Sequence, residues 1–220
     1  RYLIRARDLV ELRRLIERVR KIADGAALMT ETKVSSKVVS GVSNLLGNAP
    51  LERAMQDNLD RLGPPPFDAA DRAKAAEYQA TLTEEDIASS WRRAGVPRRD
   101  VPLCDAVLPL EARGAPMVGS TDVGDVSWVV PTVQARGATY AIGTPGHSWQ
   151  LTGQGMLPAA HKGMVHVAKV MAGTAVDAIR DPDLVARAKA DLAARTARTP
   201  YESPMPPGTR PPLGMSKGAA

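Results

Sequence analysis

Gly119-Ser-Thr-Asp-Val-Gly-Asp-Val-Ser-Trp128 and, a little further on, Gly143-Thr-Pro-Gly-His-Ser-Trp149 are the stretches on which the reading of this sequence turns. Each is a glycine-punctuated turn that carries polar side chains. Between them lie Val129-Val-Pro-Thr-Val-Gln134 and Ala138-Thr-Tyr-Ala-Ile142, apolar and β-branched runs with strand character. Pro131 confines the first run to an edge or to a strand start. Polar turns at the carboxyl ends of strands are where an α/β scaffold places a site. The expected fold class is therefore α/β.

Working outward, the start of the chain predicts a β-α-β piece. Tyr2 and Ile4 mark a short strand. Asp8 can cap a helix whose apolar positions Leu9, Leu12, Ile16, Val19 and Ala23 recur at three- and four-residue steps. Gly25 closes that seam, with Ala26-Ala-Leu-Met29 as a further turn. A second strand is expected over Thr30–Val39, with Val34 and Val38 on one face. This is half of a ferredoxin-like sandwich.

Helices are expected next from Pro50 to Leu62, stopped by Gly63-Pro-Pro-Pro66, and from Asp68 to about Thr81. Thr83-Glu-Glu-Asp86 offers a further cap and a short turn. Residues 88–111 have no clean period and read as an exposed connection, and Pro116-Met-Val118 leads into the first quoted stretch. Beyond the second stretch, a long helix is expected from about Pro158 to Ile179, with Met164, Val167, Met171 and Ala175 along one face. Asp181 caps a last helix, which Pro182 starts and which runs to about Arg195. The tail from Tyr201, rich in Pro and Gly, reads as extended or disordered.

Composition narrows the function classes. The formal net charge of +5 invites nucleic acid as a partner. The Arg and Lys residues, however, are spread along helices beside Glu and Asp, as in Glu17-Arg-Val-Arg20, with no basic cluster interleaved by aromatics, so no nucleic acid is expected. A lone cysteine, Cys104, excludes an internal disulfide and fits a reducing compartment. No run is long and apolar enough to span a bilayer and no signal-peptide pattern is present, so no membrane is expected and the reading is soluble and cytoplasmic. The sequence opens at Arg1, without Met and inside a strand-like pattern, which predicts a piece of a longer protein.

Three histidines are available for metal or proton chemistry. His161 and His166 are five apart on the long helix, which turns them about 140° from each other and prevents them from sharing an ion as an i, i+4 pair does. His147 follows a turn of small residues directly after a strand-like run, the rigid mount that a metal-binding imidazole needs. A hydrogen-bonded loop histidine is the plainer alternative. Ser120, Thr121 and Asp122 are helix-capping and turn residues by type, and alternatively the lining of a substrate pocket. No Gly-x-Ser-x-Gly elbow supports a serine hydrolase built from Ser120, His147 and Asp122.

Together with Ala160-His-Lys-Gly-Met164, Arg18-Val-Arg-Lys-Ile-Ala-Asp-Gly-Ala-Ala-Leu-Met-Thr30 and Tyr201-Glu-Ser-Pro-Met-Pro206, the two quoted stretches resemble the C-terminal half of the aminoacylase and carboxypeptidase-G-like metallo-amidohydrolases. The resemblance covers nearly all of the chain. It implies residues 1–41 as the end of a lid and dimerisation domain, 42–198 as the C-terminal part of a metal-dependent catalytic domain, and 199–220 as a tail. It implies His147 as a metal ligand and Thr121 and Asp122 as substrate-pocket residues. Two divalent metal ions, zinc or manganese, are the cofactors it implies. The reaction it implies is hydrolysis of the amide bond of an acyl- or aroyl-amino acid of the aminobenzoyl-glutamate type. Its implied partners are that small-molecule substrate, a second copy through the lid domain, and a second amidohydrolase subunit.

The same resemblance exposes a gap. The family's remaining ligands, an Asp or Cys with a nearby His, a Glu-Glu pair and a further His, belong to its N-terminal half and are not supplied by this stretch, and nor is the glutamate general base. No catalytic residue is assigned within the chain, and the chain alone is expected to be inactive. A non-catalytic structural or dimerisation module derived from the family is the alternative reading.

Overall fold

Local capping chemistry decides where the helices begin. In the computed structural model, which describes residues 2–112 and 119–210, the helices are α1 (Leu9–Met29), α2 (Ala49–Leu62), α3 (Ala69–Gln79), α4 (Glu84–Ala94), α5 (Val123–Ser127), α6 (Trp149–Gln154), α7 (Pro158–Arg180) and α8 (Pro182–Thr196). Asp8 accepts the Glu11 amide at 2.8 Å and starts α1. Asn48 accepts the Leu51 amide at 3.3 Å, with Pro50 in the first turn of α2. Asp68 with Asp71, and Thr83 with Asp86, form reciprocal capping boxes that satisfy two otherwise orphaned amides each. Asp181 accepts the Leu184 amide at 3.1 Å and opens α8 behind Pro182. At the other ends, Gly63 at φ 68° stops α2 and Gly95 at φ 70° stops α4. Both lie in the backbone region where a Cβ is penalised.

The expected α/β class, with its ferredoxin-like β-α-β piece, is not what forms. Among the described residues there is no strand and no sheet; the fold is helical. α1 is present where the sequence places the middle of a β-α-β unit. No strand forms on either side of it, nor over 129–134 or 138–142, and the Val129 and Val130 amides turn back onto the Val126 carbonyl at 3.0 Å. The physical reason is that alternation gives a strand its faces, while its stability comes from a neighbour that completes the hydrogen-bond ladder and the cross-strand side-chain pairs. Here the backbone finds single partners instead: the Ala141 amide bonds the Gln154 side chain at 2.7 Å, and the Ile142 amide bonds the Pro102 carbonyl at 2.8 Å. The stretch from residue 88, expected as an exposed connection, begins with the second half of α4, where Trp91 is buried. Residues 116–118 and the end of the tail lie outside the described residues.

The chain falls into two compact units. One gathers the described residues of Arg1–Leu46, Gly119–Val130 and Thr196–Ala220; the other comprises those of Gly47–Val118 and Pro131–Arg195. In the second unit Phe67, Ala75, Leu103, Ala141 and Ala159 form the core, with Tyr78 and Ala138 packed against it. α2 lies on α7, where Asn58 donates to the Ala54 carbonyl at 2.8 Å and to the Asp177 carboxylate at 2.6 Å. Asn48 reaches α8 and donates to the Ala188 carbonyl at 2.8 Å.

α7 is covered mainly on a side of small residues rather than on the apolar face that its spacing marks. Its covered side is Ala159, Ala160, Gly163, His166, Val170 and Thr174. Small residues on that side allow close approach: Gly163 sits against the Ala138 carbonyl and Gly173 against the Asn58 side chain. On the apolar face read from the sequence, Met164 is 59% and Met171 56% exposed while Val167 is half-buried, and Ile179 further along the helix is 81% exposed.

Candidate functional site

The mount of His147 is built in the second unit by a buried amide. Gln154, at the end of α6 and 2% exposed, accepts the Ala141 amide at 2.7 Å and donates to Thr144 Oγ1 at 3.0 Å and to the Gln150 carbonyl at 3.0 Å. Thr144 Oγ1 in turn donates to the Ala141 carbonyl at 2.7 Å. Gly143 takes φ 99° where a Cβ would meet Ile87, so the turn requires glycine there. On the far side Ser148 accepts the Leu151 amide at 3.2 Å to start α6 and donates to the Pro145 carbonyl at 2.8 Å.

His147 stands between these two anchors. It is exposed and left-handed at φ 59°, and among the described residues its ring has no hydrogen-bond partner. A non-glycine residue held at positive φ costs about 1–2 kcal/mol, which the anchors on each side supply. Sequence reasoning placed the turn and missed Gln154, whose role depends on a helix too short to show a period.

Thr121 and Asp122 lie in the other unit, at the front of α5. Thr121 Oγ1 accepts the Val123 amide at 3.3 Å and lies 3.4 Å from Asp122 Oδ1. Asp122 occupies the N-cap position, yet its carboxylate makes no capping bond and is exposed. The rest of the motif is a tie. Asp125 accepts the Ser43 hydroxyl at 2.6 Å, the Ser43 amide at 3.2 Å and the Tyr201 hydroxyl at 3.0 Å. Buried Ser127 accepts the Leu46 amide at 2.9 Å, and Trp128 Nε1 donates to the Asn44 carbonyl at 2.9 Å. Gly124 packs on the Ser43 carbonyl with no room for a Cβ. Burial first, and then the bond to Asp125, raises the Tyr201 phenol above its ordinary value.

The remaining histidines have the roles their spacing allows. His161 is exposed, and His166 is buried with Nε2 2.7 Å from the Gly63 carbonyl. Among the described residues no three His, Cys, Asp or Glu side chains converge as a metal site. A divalent cation of the zinc or manganese type takes at least three protein ligands, or a comparable shell of oxygens, so this chain's own residues do not fit a pair of such ions. Among the described residues no helix is long and apolar enough to cross a membrane.

Two glycine-mounted turns, one with a free imidazole and one with an exposed carboxylate beside a hydroxyl, are surface features of a chain similar to the C-terminal region of aminobenzoyl-glutamate hydrolases. Over 96% of its length the chain is 38% identical to the B subunit of the p-aminobenzoyl-glutamate hydrolase of Escherichia coli (strain K12). The match is to a C-terminal region of that protein, and the chain spans about half (46%) of the length of this curated relative. No protein-family profile matches the chain. No solved structure matches it.

Proposed function

We propose that the chain is the C-terminal part of an amidohydrolase that cleaves the amide bond of an aroyl- or acyl-amino acid, with p-aminobenzoyl-glutamate as the type substrate. The observation that carries this reading is the 38% identity along 96% of the chain to a hydrolase polypeptide named for that substrate. Within it, residues 1–41 belong to the lid and dimerisation region, 42–198 to the catalytic region, and 199–220 to a tail. His147 supplies one imidazole to a metal site whose other ligands lie outside this stretch. Its exposure and its unpartnered ring favour that role over a purely structural one. Thr121 and Asp122 meet the substrate: a hydroxyl and a carboxylate, both at the front of α5, can accept and donate to an amide or an amine. The relative is named as one subunit of a hydrolase, which supports a partner subunit in the active assembly, and a second copy through the lid region is part of the same reading. The working location is the cytoplasm.

The residues present do not by themselves hold two cations. The test is made in the full-length polypeptide assembled as the active enzyme. His147→Ala is expected to lower bound metal and abolish hydrolysis of p-aminobenzoyl-glutamate together; full metal content with normal turnover would sink the assignment.

A second reading rests on the absence of a converging ligand set among the described residues: a non-catalytic module derived from the same family. The complete coding sequence discriminates the two. An Asp-x-His or Cys-x-His and a Glu-Glu pair elsewhere in it decide for the enzyme, and their absence decides for the module.

A further inference from the structure

The front of α5 is held by segments distant in sequence. The Gly124 amide bonds the Thr121 carbonyl at 3.1 Å and the Asp125 amide bonds the Asp122 carbonyl at 3.2 Å, so a displacement of Asp125 moves the turn that carries Thr121 and Asp122. Asp125 is itself fixed by Ser43 on one side and by Tyr201 on the other. Tyr201 belongs to the segment beyond α8, which is fastened at three further points. Its ring lies against Trp128 with centroids 6.5 Å apart, Glu202 pairs with Arg13 of α1 at 2.6 Å, and Pro204 packs on Gly41.

We infer that Tyr201, acting through the Asp125 carboxylate, is a positioning residue for the substrate turn at Thr121 and Asp122, so that the segment following α8 acts as a strap that sets how tightly substrate is held. This inference rests on the reading of Thr121 and Asp122 as pocket residues. The chemistry suits the task. A carboxylate that accepts one backbone amide and two hydroxyls has its orientation over-determined, and hydrogen bonds to a charged acceptor are the stronger kind. Three other features of the motif, at Gly124, Ser127 and Trp128, together with the Gly41–Pro204 contact, already secure the fold of this unit without the phenol. The Tyr201 hydroxyl is therefore the part of the strap whose removal leaves the packing in place. Asp122, by contrast, makes no capping bond and keeps its carboxylate available for substrate.

The experiment uses the full-length polypeptide assembled as the active enzyme, with p-aminobenzoyl-glutamate as the probe. Tyr201→Phe keeps the ring against Trp128 and deletes only the hydroxyl. The expected result is a KM raised roughly three- to tenfold, with kcat, bound metal and melting temperature unchanged, the signature of lost binding rather than lost chemistry. Because both residues act through one bond, Tyr201→Phe added to Asp125→Asn should raise KM no further than Asp125→Asn alone. If Asp125→Asn fails to fold, the KM-against-kcat split of Tyr201→Phe at an unchanged melting temperature decides alone.

An unchanged KM in Tyr201→Phe, alongside a raised KM in Thr121→Ala or Asp122→Asn, overturns the strap and leaves the pocket reading intact. Unchanged KM in both Thr121→Ala and Asp122→Asn overturns the pocket reading, and the strap with it. A fall in melting temperature that tracks the loss of activity in Tyr201→Phe makes the residue structural and also overturns the inference.

Discussion

Gln154 Nε2 donates to Thr144 Oγ1 at 3.0 Å while the same side chain's oxygen accepts the Ala141 amide at 2.7 Å, so one buried amide closes the loop on which His147 sits. Gln154→Leu roughly keeps the volume and removes both bonds, together with the one to the Gln150 carbonyl. It leaves a buried amide and a buried hydroxyl short of partners, a cost of about 1–3 kcal/mol for each group that water does not reach. The expected outcome is a lower urea midpoint with an unchanged slope, measured by circular dichroism on this chain.

His147 at φ 59° stores strain that glycine would release. His147→Gly removes the penalty of roughly 1–2 kcal/mol but adds the chain entropy of glycine, about 0.5–1 kcal/mol. A net gain of up to about 1.5 kcal/mol in stability is expected, read as a raised melting temperature. Together with the loss of metal expected for His147→Ala in the full-length enzyme, it would place strain and function on one residue.

Two helical glycines should respond in opposite directions to alanine. Around Gly25 in α1 an added Cβ would meet no described atom within 4 Å beyond its chain neighbours and the helix's own backbone, so only helix propensity acts and Gly25→Ala should stabilise by about 1 kcal/mol. At Gly163 in α7 the added carbon would run into the Ala138 carbonyl, a backbone group that cannot swing aside. Overpacking of this kind costs about 1–3 kcal/mol and exceeds the propensity gain, so Gly163→Ala should lower the denaturation midpoint.

The Lys162 ammonium lies 2.7 Å from Asp68 and 2.5 Å from Asp71, whose side chain is only 3% exposed. The hydrogen bond from Lys162, then the amide of Asp71, holds the Asp68 carboxyl below its ordinary 3.8. A depressed carboxyl contributes stability that is complete above its unfolded value and is lost as pH falls through the folded one. The bonds to Asp68, then to Asp71, raise Lys162, whose contribution is complete below 10.5 and is lost as pH rises through its folded value. The stability advantage of the native chain over Lys162→Gln should be flat near neutrality. It should shrink below about pH 4 as Asp68 titrates, and again above about pH 10.5. Urea denaturation across that range measures it.

The helices are legible in the sequence because their signals are local. Asp8, Pro50, Asp68 and Asp181 stand within three residues of the amides they satisfy or the turns they start, and α7 and α8 begin at the prolines that mark them. α4 runs further than its sequence pattern indicates because its second half, Ser89-Ser-Trp-Arg-Arg93, has one large apolar residue and gives no period. The strands fail for a non-local reason. Tyr2, Leu3 and Val39 alternate or branch as strand residues do, yet remain exposed with no ladder beside them. In the candidate site the turns themselves are readable from Gly143 and Gly119. The ties of Asp125 to Ser43 and Tyr201 are not, because they join positions 82 and 76 residues apart.

The uncovered side of α7 governs how this polypeptide behaves in a tube. Met164, Met171 and Ile179 form a stripe along the helix that carries no charge to oppose self-association. Sulfate and phosphate strengthen the drive to bury such a surface, whereas urea at sub-denaturing concentration weakens it. Solubility should therefore follow the identity of the salt more than its ionic strength, and a dilute, low-sulfate buffer is the condition in which single molecules are handled.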